Sequence, residues 1–258
     1  MILELKKGLT YGPVRSRRLG ASLGINLFPG PFKRCPFDCV YCQYGWTREP
    51  TTELAPDVAA ALPTPRDVEE AVVLTLEALP ELPAYLTFSG NGEPTIHPDF
   101  PEMVDRVNAI RARFSGGLKT AVLSNSARVT EAGVRAALAR LDVRIMKLDC
   151  GTESVFRRYN RPPRGLTLDA LTGGLRTLAA RAPVTIQSLV AGGADGNLDA
   201  EEGGAWVERL AAINPTAVQL YTLARGFPAA DLAPAPEGAL CSLAAKAKAR
   251  GVPVSVFR

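Results

Sequence analysis

The feature that most restricts how this chain can fold is an alternation of short apolar runs with stretches of helical spacing. The runs lie at 22–28 (SLGINLF), 84–89 (AYLTFS), 119–124 (KTAVLS), 143–149 (VRIMKLD), 184–190 (VTIQSLV), 217–223 (AVQLYTL) and 252–257 (VPVSVF). Several are apolar almost throughout, as strands covered on both faces are. Helix starts fall between them: Thr64 followed by Pro65, then Thr130, Thr167 and Asp199, each placed as an N-cap, and a last helix at 236–250 that stops at Gly251. Strand-then-helix repeated about six times predicts an α/β fold, an incomplete (βα)6 parallel barrel with right-handed crossovers and a short extra C-terminal strand. In such folds chemistry gathers on the loops leaving the C-terminal strand ends.

The 258 residues, 47% of them hydrophobic, are enough for one large core, so a single domain over 1–258 is expected. Within it, 1–21 reads as a basic N-terminal arm. The proline-interrupted stretch 49–63 reads as an irregular connection, and 227–238 as a second surface loop. No run approaches the roughly 18 uncharged apolar residues of a membrane span. MILELKK has neither the apolar segment nor the cleavage site of a secretory leader. A soluble, cytoplasmic protein with no membrane partner is the expectation.

Cysteine placement sharpens this. Of five cysteines, Cys35, Cys39 and Cys42 fall within eight positions at 34–46, while Cys150 and Cys241 stand alone far downstream. Three thiols so close make a poor disulfide scaffold for a chain of this size and a good set of metal ligands in a reducing compartment. Residues 1–48 carry eight Lys or Arg against Glu4 and Asp38, which is +6 locally and leaves −2 for the remainder. That positive potential suits thiolate charge or an anionic partner. A structural zinc site and the common closed iron–sulfur clusters take four ligands. The only histidine is His97, and the local supply stops at three. Three thiolates on a [4Fe–4S] cluster leave one iron open, which points to catalysis. A zinc or closed-cluster site completed by a distant fourth ligand fits the same spacing.

C-x3-C-x2-C after a first strand, with the aromatic Tyr41 before the third cysteine, resembles the cluster loop of the radical S-adenosylmethionine (SAM) superfamily. The resemblance implies a [4Fe–4S] cluster on Cys35, Cys39 and Cys42, whose open iron is chelated by the amino and carboxylate groups of SAM. Reductive cleavage then gives methionine and a 5′-deoxyadenosyl radical that abstracts hydrogen from substrate. A flavodoxin or ferredoxin electron donor is implied in the same way.

Other strand ends fit this picture. The second strand runs into SGNGEPT, where the glycines let backbone approach a ligand and Glu93 offers a carboxylate to an ammonium group. It is similar to the family's "GGE" motif, which holds the SAM amino group, with Asn91 replacing the first glycine ahead of Gly92 and Glu93. Ser124 and Asn125 end the third strand and Lys147 and Asp149 the fourth. Such polar residues at the ends of apolar strands need partners if buried, and a nucleoside is one. Gln187 on the fifth strand, Tyr221 and Leu223 on the sixth, and Tyr41 are further candidates for the cofactor, the last three against its adenine. The phrases YGPVRSRRLGASLGINLFP, FSGNGEPTIHPDF, LSNS, MKLDC and VQLYTLAR resemble the branch that includes the wyosine-forming transfer RNA enzymes. Their second cluster set and flavin domain have no counterpart here.

For the substrate, Arg157, Arg158, Arg161 and Arg164 surround Tyr159 in a loop expected at the mouth of the site, and Arg17 and Arg18 belong to RSRR near the N-terminus. Guanidiniums beside an aromatic suit an anionic substrate such as a nucleotide or RNA. They equally suit a solvated basic face, a peptide or a partner protein. A zinc-stabilised RNA-binding protein without catalysis is the reading from another class.

Overall fold

The computed structural model describes residues 2–16, 18–114 and 116–257. In chain order it contains β1 (Thr10–Ser16), β2 (Gly20–Ile25), α1 (Pro56–Ala60), α2 (Pro65–Ala78), β3 (Tyr85–Phe88), α3 (Phe100–Arg113), β4 (Lys119–Ser124), α4 (Ala132–Ala139) and β5 (Val143–Lys147). There follow α5 (Glu153–Tyr159), α6 (Leu168–Ala179), β6 (Thr185–Leu189), β7 (Ala191–Gly192), α7 (Ala200–Ile213), β8 (Ala217–Tyr221), β9 (Ala233–Pro234), α8 (Glu237–Ala249) and β10 (Val254–Phe257). Eight strands form one sheet in the order β1-β2-β3-β4-β5-β6-β8-β10, and β7 and β9 pair separately. From β2 to β10 every pairing in the large sheet is parallel, as the alternation of strand and helix requires.

The expected caps at Thr64, Thr167 and Asp199 form, each side-chain oxygen accepting a backbone N–H three residues on. At the fourth, the helix starts one residue later than expected, with Glu131 at the N-cap and no side-chain cap bond. Arg135 takes the Thr130 and Val129 carbonyls instead, and Arg128 pairs with Glu131.

Two further expectations are corrected. The stretch 1–21 is only partly an arm, because β1 pairs antiparallel with β2. Its Gly12-Pro13 step hides the strand from pattern reading but is tolerated at a sheet edge, where the register breaks between Tyr11 and Val14. The connection 49–63 contains the short helix α1, started by Pro56.

Strand alternation gives the sheet two unlike faces. Leu86, Phe88, Val122, Met146, Ile186 and Leu220 are fully buried on the helix-covered face. Phe88 meets Phe100 of α3 edge-on at 5.5 Å, and the Trp206 indole of α7 donates to Ser188 Oγ and the Leu148 carbonyl. The other face lines the lumen. Register places Lys147, Gln187 and Gln219 side by side there, and Leu189 beside Tyr221. Leu123, on this face, is 36% exposed, so the lumen is not packed shut.

Candidate active site

The cysteine loop is held in place by its non-cysteine residues. Phe37 and Val40 are buried, and Phe37 packs edge-on against Phe156 of α5 at 5.5 Å. Val40 N–H donates to the Tyr159 carbonyl at 3.0 Å, and Asp38 N–H to that of Asn160 at 3.2 Å. Asp38 accepts from Thr47 N–H at 2.6 Å, and Thr47 Oγ1 donates to the Phe37 carbonyl, which closes the loop. Apolar residues between the thiols thus fix the backbone, and the thiols themselves remain partly accessible.

The start of the loop is stitched to the segment after β3. Arg34 N–H donates to the Asn91 carbonyl at 3.0 Å, and Glu93 N–H to the Arg34 carbonyl at 2.9 Å. Gly92 lies between these bonds at φ +133°, where a Cβ would sit 1.7 Å from the Arg34 carbonyl oxygen. Only glycine fits such an approach. Asn91 supports the same junction from within the fold, its buried amide accepting from Lys6 N–H and donating to the Lys6 and Phe28 carbonyls. Asn26 meets it by accepting Asn91 N–H.

Around the thiols the donor set is consistent with a bound iron–sulfur group. Lys33 is only 5% exposed, and its ammonium donates to the Gly45 carbonyl at 2.5 Å. Burial works against its charge, yet the neighbouring Cys42, Cys35 and Cys39 outweigh this and hold its pKa above the usual lysine value. Burial also pushes the Cys35 thiol up, and that of Cys39 up to about 12, against the pull of its bond from Asn160. Asn125 Nδ2 donates to Cys35 Sγ at 3.3 Å and Asn160 Nδ2 to Cys39 Sγ at 3.4 Å. A buried cation and two N–H···S bonds favour thiolates carrying a charged inorganic centre.

The three outlying candidates for a fourth ligand lie outside the cysteine loop. Cys150 donates to Asn160 Oδ1, Cys241 is exposed on α8, and His97 Nδ1 accepts from Asp99 N–H. Among the described residues no three His, Cys, Asp or Glu side chains are gathered for a single metal ion. A cluster, if bound, would be held by Cys35, Cys39 and Cys42.

Glu93 is fully buried. Its carboxylate accepts from Thr95 N–H and Oγ1, from Ser124 Oγ at 2.9 Å and from Asn125 N–H at 2.5 Å. Burial raises its pKa and these four donors oppose that rise. Glu93 and Ser124 therefore fix the end of β4 and aim Asn125 at Cys35.

Across the lumen a second network runs from the cysteine loop into the sheet. Tyr41 donates its hydroxyl to Asp149 Oδ2, which also accepts from Asn160 Nδ2 at 2.9 Å. Asp149 Oδ1 accepts from Leu189 N–H and pairs with Lys147 at 2.8 Å. Lys147 donates to the Tyr221 hydroxyl at 3.0 Å, and Tyr221 donates to Gln187 Oε1 at 3.3 Å. Burial pulls the Lys147 pKa down, but Asp149 and Tyr221 more than reverse this, so the ammonium stays charged. Tyr41, Lys147, Asp149, Gln187 and Tyr221, from four segments of the chain, thus form one bonded group. Leu223 is buried beyond the end of β8.

The arginines do not form one patch. Arg157 pairs with Glu153 and donates to the Leu166 carbonyl, and Arg158 donates to the Gly196 carbonyl, so both hold their own chain together. Arg161 lies 3.8 Å from Asp38 and over the exposed Trp46 ring at 4.5 Å, beside the cysteine loop. Arg164 is exposed. Arg18 covers the Tyr221 ring at 4.4 Å, and Arg17 lies outside the described residues. Sequence reasoning missed Asn160 and Lys33. Asn160 was hidden inside the arginine-rich phrase, and Lys33 was counted only as local charge.

Comparison with known proteins places these features in context. The family model of the Radical SAM superfamily matches residues 31–199. The UPF0026 protein MJ1312 of Methanocaldococcus jannaschii is 34% identical over 168 residues, covering 65% of this chain, which spans about half (48%) of that relative's length. A radical SAM methyltransferase from Sphaerobacter thermophilus superposes with a TM-score of 0.65 at 16% identity, over 92% of this chain and 65% of that one. TYW1 with a lysine-pyruvate adduct bound superposes at 0.63 and 15% identity, over 88% and 73% of the two chains. At such identities the structures share the fold.

Proposed function

We propose that this chain, which belongs to the Radical SAM superfamily, cleaves SAM reductively and uses the resulting radical to take hydrogen from an anionic substrate. When bound, a [4Fe–4S] cluster supplies one electron to SAM, whose broken carbon–sulfur bond leaves methionine and the 5′-deoxyadenosyl radical. Cys35, Cys39 and Cys42 would hold the cluster. Lys33 balances the thiolate charge from beneath, and the amides of Asn125 and Asn160 donate to two of the sulfurs. Glu93 holds the strand end that presents Asn125 to the SAM side, with Ser124 and Gly92 completing that rim. Tyr41 offers its ring to the nucleoside, and the charged Lys147–Asp149 pair stands between it and Tyr221, whose ring Arg18 and Lys147 cover.

The observation that carries this reading is the cysteine loop itself. Three thiols share a buried ammonium and two amide donors, while Cys150 donates to Asn160, His97 Nδ1 accepts from Asp99 N–H and Cys241 is exposed on α8. The finer proposal is that the substrate is a nucleotide or RNA, that the chain acts in the cytoplasm, and that a flavodoxin or ferredoxin is its electron donor; with TYW1 it shares the fold. Arg161 with Trp46 is the exposed pair best placed for such a substrate. A peptide substrate is the alternative that the same charges allow. No helix among the described residues is long and apolar enough to cross a membrane.

Anaerobic reconstitution tests the reading. About four irons per chain are expected, with 5′-deoxyadenosine formed on adding SAM and dithionite. Zinc without iron in anaerobically purified protein would overturn it in favour of a zinc-stabilised RNA-binding role. Deuterium moving into 5′-deoxyadenosine from a labelled nucleotide, and not from a labelled peptide, would fix the substrate class.

A further inference from the structure

We infer that Arg18, Gln219 and Tyr221 form an oxyanion anchor in the lumen, opposite the cysteine loop, which takes a carboxylate or phosphate terminus of the substrate. This rests on the proposed radical reading for what the anchored molecule is, but not for the anchor itself.

Arg18 lies in the turn between β1 and β2, on one side of the sheet, yet its guanidinium covers the Tyr221 ring of β8 near the other edge. Arg18 therefore links the two ends of the sheet. Among the described residues it has no carboxylate partner, although the chain pairs Arg66, Arg106, Arg111, Arg128, Arg140 and Arg209 with its own acids. With one face of the guanidinium against a tyrosine ring, its edge N–H groups remain, and these form the fork that matches a planar carboxylate or a phosphate.

The neighbours agree. Lys147 is the other cation at Tyr221, 5.0 Å from the ring centre, and Asp149 already neutralises it. Among the described residues the group around Tyr221 thus carries one uncompensated positive charge, that of Arg18. Gln219 lies two residues before Tyr221 on the same face of β8. Its Oε1 accepts from Gln187 Nε2 at 3.0 Å, and its own N–H2 has no acceptor among the described residues. Among the described residues the lumen thereby presents unused donors, one of them charged, with no acid to fill them.

Position gives the anchor its meaning. A continuous set of contacts runs from Cys39 through Asn160, Asp149, Lys147 and Tyr221 to Arg18. A substrate held at the Arg18 end by its anionic terminus extends toward the cysteine loop, which fixes the carbon presented there for hydrogen abstraction. Chain-length selectivity follows from this arrangement.

The test uses the full chain, loaded anaerobically, and two probes at matched ionic strength with chloride as reference: acetate for a carboxylate and inorganic phosphate for a phosphate. Melting temperature is followed against probe concentration. One probe should raise it saturably, which identifies the terminus. Arg18→Ala should weaken that response at least tenfold, Arg18→Lys nearly as much because the fork is lost, and Gln219→Leu less. Arg66→Ala, on exposed α2, should match the wild type. An unchanged response in Arg18→Ala, or no saturable response to either probe in the wild type, overturns the anchor. If Arg18→Ala misfolds by circular dichroism, Gln219→Leu and Arg18→Lys carry the same test. SAM binding to the wild type is measured separately. A protein that binds an oxyanion but not SAM supports the anchor and defeats the radical reading, and one that binds SAM but no oxyanion does the reverse.

Discussion

The two faces of the sheet obey opposite rules. On the helix-covered face Leu86, Phe88, Val122, Met146 and Ile186 are excluded from solvent and packed as a core. On the lumen face, one residue along each strand, Lys147, Gln187, Gln219 and Tyr221 hydrogen-bond in a row, and Leu123 stays exposed. A closed eight-stranded barrel fills its interior with branched apolar side chains. Here part of that interior is given to polar side chains. Stability therefore resides on one face and chemistry on the other, and substitutions should separate the two.

The largest separation is expected at the thiols. Cys39→Ala should lower bound iron from about four per chain to well under one and remove 5′-deoxyadenosine formation, while unfolding free energy changes by no more than about 1 kcal/mol. Iron analysis and urea titration read both. Phe88→Ala should do the opposite, costing about 3–5 kcal/mol as a cavity opens against Phe100, and iron bound per folded chain should stay unchanged. Equal losses of iron and stability in either variant would break the division.

Gly92→Ala sits where the two regions meet. The added Cβ collides with the Arg34 carbonyl, so the start of the cysteine loop must move. Expected are a stability loss of about 1–3 kcal/mol and reduced iron loading, with helix content by circular dichroism retained.

The smallest effect concerns pH. Burial holds His97 below its ordinary pKa of 6.5. The unfolded chain therefore takes up the proton first as pH falls, and the folded state loses stability from about neutrality downward. Melting temperature should decline between pH 7.5 and 5.5, and less steeply in His97→Gln. The lumen network, which holds no histidine, should not contribute to that slope.

Much of this is legible in the sequence because it is local. The cysteine spacing, the glycines around Asn91, the caps at Thr64, Thr167 and Asp199 and the polar strand ends each need only a few neighbouring residues to be recognised. What escapes depends on partners far along the chain. Asn160 meets Cys39 across 121 positions, and Asn91 reaches back 85 positions to Lys6. The arginines of 157–164 look like one patch because charge is visible in sequence and its consumption is not: Arg157 is taken by the Leu166 carbonyl and Arg158 by that of Gly196, 38 positions on. Strand β1 escapes for a different reason, since its pairing compensates for a Gly-Pro step that local propensity counts against a strand.

The most direct test is electron paramagnetic resonance of the anaerobically reduced, cluster-loaded protein with SAM carrying nitrogen-15 in its amino group. Three protein thiolates with one accessible iron predict that SAM shifts the cluster signal and that the label appears as a hyperfine coupling. A signal that SAM leaves unchanged, with no coupling to the label, would mean that every iron is already ligated by the protein, and would contradict the account.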